Sequence, residues 1–136
     1  MLEPDYLELS YYTLSHGDPS FIHQYIVDAQ TAQAADSATR PIALTFALTG
    51  LYLFLKKGFT GKEVQQFHVH MTHNKVHWPD LSLAERTCAL TVSDVLRTTP
   101  GPLRDQKIRA WCQAVWDSYQ PIQEELVAFL HEQYAV

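Results

Sequence analysis

Between residues 10 and 30, "SYYTLSHGDPSFIHQYIVDAQ" holds two histidines, two aspartates and three tyrosines. An imidazole titrates near neutral pH, and a nearby carboxylate can set its tautomer and its basicity. His23 and Asp28 are therefore the candidate catalytic pair. They lie about 140° apart on an ideal helical wheel, so one helix cannot turn both toward one small ion. His16, Asp18, Gln24 and Tyr12 form a candidate ligand-binding set. A helix opening at Asp18 would leave free backbone N–H groups beside His16, a place that favours an anion.

A second concentration of histidine is "FHVHMTHNKVHW", residues 67–78. On a helical wheel Val64, Phe67 and Met71 form the buried stripe and His68 sits at its inner edge. His70 lies on the other flank, His73 points to solvent, and His77 falls past the helix end. His68 alone looks inward. With His16 and His23 it would give three imidazoles and an open position, a set suited to zinc or iron that activates water or polarises a carbonyl. That requires the second and fourth helices to face each other. Two other classes stay open. One is a metal-free pocket in which His23 carries protons and Asp28 or Asp18 tunes it. The other is a non-catalytic interaction or accessory protein with structural histidines. No HExxH, ExxH, GxSxG or glycine-rich phosphate loop is present.

The elements that must position these residues are helical. Pro4 opens a first helix through Leu14. Asp18 as N-cap and Pro19 predict a second over about 19–35. Pro41 opens a third, closed by Lys56, Lys57 and Gly58. The capping box "TGKE" starts a fourth, ending near Asn74. "SLAE" at 82–85 and "TVSD" at 91–94 repeat that pattern as short helices. A long helix follows from about 102, and Pro121 kinks it or splits off a last one. No stretch alternates cleanly enough for a strand. The expected fold is all-α, one domain over residues 1–136. Four to five main helices surround a central apolar helix at about 42–57. Gly50, in the middle of that helix, marks a close helix contact. Asp28, if buried, needs a partner such as Arg40 or a tyrosine hydroxyl. Cys112 shares a stripe with Ile108, Trp111, Val115 and Tyr119 and reads as core.

Composition narrows the classes. Hydrophobic residues at 46% and charged residues at 18% are those of a globular chain. A net charge of −5, with no basic stripe, argues against nucleic acid as partner. The longest uncharged apolar run, between Arg40 and Lys56, has 15 residues and is shorter than the ~20 needed to span a bilayer. An acidic start unlike a secretory signal, with two cysteines in no CxxC spacing, points to the cytoplasm. In a chain of this size a second copy could be needed to close a deep pocket.

Over about Leu9 to Trp116 the chain resembles a group of small bacterial proteins whose domain has no known function. The resemblance lies in "LSYYTLSHGDPSFIHQYIVDAQTAQ", "RPIALTFALTGLYLFLKKGFTG", "VQQFH", "WP" and "AWCQAVW". It carries over His16, Gly17, Asp18, Pro19, His23, Gln24, Asp28, Gln33, His68, Trp78 and Cys112. The chain departs from that pattern in its histidines at 70, 73 and 77 and in Arg40, where lysine is expected. The resemblance implies no activity.

Overall fold

A computed structural model of the protein describes residues 3–81 and 86–136. Among these residues there are seven helices and no strand: α1 (Pro4–Ser15), α2 (His23–Gln33), α3 (Pro41–Lys57), α4 (Gly61–His73), α5 (Val92–Leu96), α6 (Pro102–Asp117) and α7 (Gln120–Tyr134). The "SLAE" capping pattern lies outside the described residues.

The architecture follows from α3. Every residue from Ala47 to Leu53 is buried, so this helix has no face left for water. It takes the centre and packs against α2, α4, α6 and α7, while α1 lies on α2 and α5. The expected all-α bundle around an apolar helix is what forms. The helix punctuation also forms as read. Thr60 and Glu63 make both bonds of the capping box, at 3.1 and 2.9 Å, and Thr91 with Asp94 does the same for α5. Gly58 closes α3 in a left-handed conformation. Pro121 marks a true split between α6 and α7.

The start of α2 is different from the sequence reading. Asp18 does not cap it, because the helix begins at His23 with Ile22 in the N-cap position. Residues 18–22 form a turn instead, with Phe21 at φ +58°. Asp18 holds that turn: its Oδ2 accepts from the Ser20 hydroxyl at 2.7 Å and from the Ile22 N–H at 3.2 Å. The turn is docked on α4, where Lys62 N–H donates to the Ser20 carbonyl at 3.0 Å. Only glycine fits beneath it, since a Cβ on Gly61 would stand 1.8 Å from the Phe21 oxygen.

Gly50 makes the second close approach, as its position in α3 suggested. A Cβ there would lie 1.9 Å from Asp28 Oδ2 and 3.2 Å from Val64. Helix α2 therefore lays a carboxyl directly on the backbone of α3. Small side chains beside it, Ala29 and Ala32, keep the two helices close and are fully buried.

We predict that Gly50→Ala destabilises the fold by about 2–3 kcal/mol, the range of an overpacked core. In an Asp28→Ala background the same change should cost less than half as much, because the clashing oxygen is gone. Urea unfolding of the four chains measures this. An equal cost in both backgrounds would mean that Asp28 is not what Gly50 accommodates.

Candidate functional site

The chemistry-bearing residues of α2 end up in two settings. His23, at the first turn, is half-buried, and its Nδ1 is 2.8 Å from Thr13 Oγ1 on α1. The Thr13 hydroxyl is within reach of the Leu9 and Ser10 carbonyls, so it donates there and accepts from Nδ1–H. Nε2 keeps its lone pair. Burial lowers the basicity of His23, so the ring is neutral at pH 7.

Asp28 is at the centre of the bundle and only 4% exposed. Its Oδ1 accepts from Gln24 Nε2, one turn back, at 3.2 Å. Among the described residues its Oδ2 has no hydrogen-bond partner. The partner expected for it, Arg40 or a tyrosine hydroxyl, is thus replaced by Gln24. Burial raises the carboxyl well above its usual range, and the Gln24 bond offsets only part of this. Burial therefore favours the protonated form of this acid over the ionised one. Cys112 lies close by and is fully buried, its Sγ 3.7 Å from the Tyr25 carbonyl. Burial pushes its thiol up as well, and a charged Asp28 would push it further. Cys112 is core, as its stripe suggested, and an inert thiol.

His68 does face inward. Its Nε2–H donates to the Phe46 carbonyl on α3 at 2.8 Å, and its ring stacks on Phe46 at 5.2 Å. Burial lowers its basicity too, against the opposing effect of that carbonyl. His16 goes elsewhere. Its Nε2 lies 3.4 Å from Asp105 Oδ2 in the first turn of α6. Tyr12 joins it there, donating to Asp105 Oδ1 at 2.8 Å and accepting from the Gly101 N–H at 3.0 Å. Arg104 covers the Tyr12 ring at 4.6 Å. His16 therefore ties the end of α1 to the start of α6 and does not sit at the N-terminus of α2.

The trio His16, His23 and His68 accordingly does not converge, although α2 and α4 are neighbours. Each imidazole has its own partner on a different element. Among the described residues no group of three or more His, Cys, Asp or Glu side chains could hold a metal ion. His23 and Asp28 also point to separate surroundings, as the wheel required.

Gln33, carried over by the resemblance, is equally engaged. Its Oε1 accepts from Trp111 Nε1 at 2.9 Å, and its Nε2 donates to the Leu90 carbonyl at 2.8 Å.

An open groove lies among residues that carry no chemical signal in the sequence. The groove, of about 530 Å³, runs between α3, α6 and α7. Tyr52 and Trp116 form its floor, 7% and 3% exposed, with ring centroids 6.0 Å apart. Val127 and Ala128 form one wall, and the exposed Lys56, Glu124 and His131 stand at the rim. Gln123 donates to the Trp116 carbonyl at 2.8 Å and anchors α7 beside the floor. In the sequence Tyr52 and Trp116 look like ordinary core residues. The gap above them depends on how α7 crosses, which no local pattern records.

We predict that Asp28→Asn alters how stability depends on pH. The unfolded carboxyl ionises above 3.8, and burial keeps the folded one protonated to higher pH. Its contribution is complete below that value and declines as pH rises toward the folded pKa, by at most about 1.4 kcal/mol per pH unit. His23 and His68 act oppositely: their lowered folded values favour the folded state above 6.5 and cost stability as pH falls. Urea unfolding from about pH 4 to about pH 8 should show Asp28→Asn gaining on the wild type as pH rises. A constant difference would mean that Asp28 ionises alike in both states.

The sequence model of a family of unknown function, DUF5946, matches residues 5–120, and the chain belongs to that family. No curated protein and no solved structure matches it.

Proposed function

We propose that this member of the DUF5946 family binds a small amphipathic molecule in the groove between α3, α6 and α7. The observation that carries the reading is the groove itself. Its volume of about 530 Å³ falls within the roughly 300–1,000 Å³ of small-molecule sites. Two aromatic rings floor it, with a few polar groups at one edge, the usual composition of such a site. An aromatic or aliphatic body would cover Tyr52, Trp116 and Val127. A polar end would meet Lys56, Glu124 and His131 at the rim. Rings held in a packed floor lose little freedom when a ligand arrives, which favours binding there.

The competing readings from the histidine stretch have less support. His23, His68 and His16 are each committed to a separate partner. A metal-dependent or acid/base activity on α2 would need those partners to change first. The groove needs no such rearrangement.

The fluorescent amphipathic anion 1-anilinonaphthalene-8-sulfonate tests the reading directly. Wild-type protein should bind it with micromolar affinity. Ala128→Trp fills the groove from an exposed position on α7 and leaves the core untouched. It should weaken binding about tenfold or more, about 1.4 kcal/mol, with an unchanged circular dichroism spectrum. Lys56→Glu should weaken the anion by a smaller factor. Undiminished binding to a folded Ala128→Trp chain would remove the groove as the site.

A further inference from the structure

The outer face of α1 carries an apolar stripe that the bundle leaves uncovered. Leu7, Tyr11 and Leu14 are 52%, 76% and 57% exposed, while Tyr6, Leu9 and Thr13 on the opposite side are buried. At 100° per residue the three exposed side chains fall within about 60° of one another, one straight stripe over about two turns. Scattered exposed apolar residues are ordinary, but a contiguous set on one helix face marks a contact surface.

The charges beside the stripe say what kind of partner fits. Glu3 and Glu8 are exposed on its two flanks. Helix α1 and its N-cap carry three acids, Glu3, Asp5 and Glu8, and no lysine or arginine. A second copy laid on this face would set acids against acids. A helix with apolar residues on one side and lysine or arginine flanking them would match both the stripe and its edges. The two termini of the stripe differ little in charge, so either direction of the partner helix satisfies the flanks.

We infer that the outer face of α1 docks a cationic amphipathic helix of a partner protein, through Leu7, Tyr11 and Leu14 with Glu3 and Glu8 at the edges. The site is independent of the groove: it uses a different helix and different chemistry.

The probe is a fluorescein-labelled Leu/Lys peptide of about four helical turns, roughly 14 residues, with a Leu/Glu peptide of the same apolar pattern as its counterpart. Fluorescence anisotropy at low salt should show the Leu/Lys peptide bound and the Leu/Glu peptide unbound. Leu7→Ser/Leu14→Ser and, separately, Glu8→Lys should each weaken binding about tenfold or more. Glu132→Lys, an equal change of net charge on exposed α7, should leave it within about twofold. These substitutions alter exposed positions only, and circular dichroism confirms that each chain is folded. Failure of the Leu/Lys peptide to bind overturns the inference. So does equal binding of both peptides, or a double variant that binds as the wild type does. Sedimentation supplies one more outcome: a wild-type dimer that the double variant dissociates would give the stripe to a second copy and also overturn it.

Discussion

The carboxyl of Asp28 lies on the backbone of α3 at Gly50, and the arrangement of the bundle depends on that contact. It fixes how closely α2 approaches the central helix. The approach in turn sets where the two ends of α2 arrive. At one end His23 reaches Thr13 on α1. At the other, Gln33 receives the indole N–H of Trp111 from α6, and the Ala32 carbonyl receives the Tyr119 hydroxyl at 2.6 Å. An acid with one unpartnered oxygen is an expensive thing to bury, and an ionised one far more so. Burial accordingly favours the protonated form. Ile26, Ala29 and Ala32 on the same helix are fully buried, and their apolar area stabilises the packing that holds the acid there.

The parts of this fold legible in the sequence are those that a residue decides with its near neighbours. The apolar run of α3, the capping boxes at Thr60 and Thr91, and the proline after α6 each work within a few residues. The wheel on α4 also separated His68 from His73 correctly, because burial on a helix is a matter of spacing. The start of α2 was not legible for the opposite reason. "GDPS" has every local mark of a helix N-terminus, yet the turn it forms is bonded to Lys62 and rests on Gly61. Those contacts span some 40 residues and take Asp18 away from capping.

The same distinction governs the site. Residue type says what His16, His23 and Asp28 could do, but partners say what they do. His16 meets an aspartate 89 positions away, and His68 meets a carbonyl 22 away. Neither pairing leaves a mark in spacing. His16 joins α1 to α6, His23 joins α2 to α1 and Asp28 lies on α3, while Asp18 holds only its own turn. A densely polar sequence can therefore serve as a set of internal ties. Density of reactive residue types is weak evidence for reactivity when the chain is all helix, because helix junctions demand polar partners of the same kinds.

The groove has a different origin. Helix α7 buries Ile122, Leu126 and Leu130 and so covers the outer side of α3. Its first duty is to keep Tyr52 and Trp116 from water. Along the line of Val127 and Ala128 its side chains are too small to complete that cover, and the shortfall is the groove. The family match ends at residue 120, the first residue of α7. The floor residues lie inside the matched range and the α7 wall outside it. Positions 124, 127, 128 and 131 face the groove, whereas 122, 126 and 130 hold the core. Groove lining and core packing thus fall on different sides of one helix.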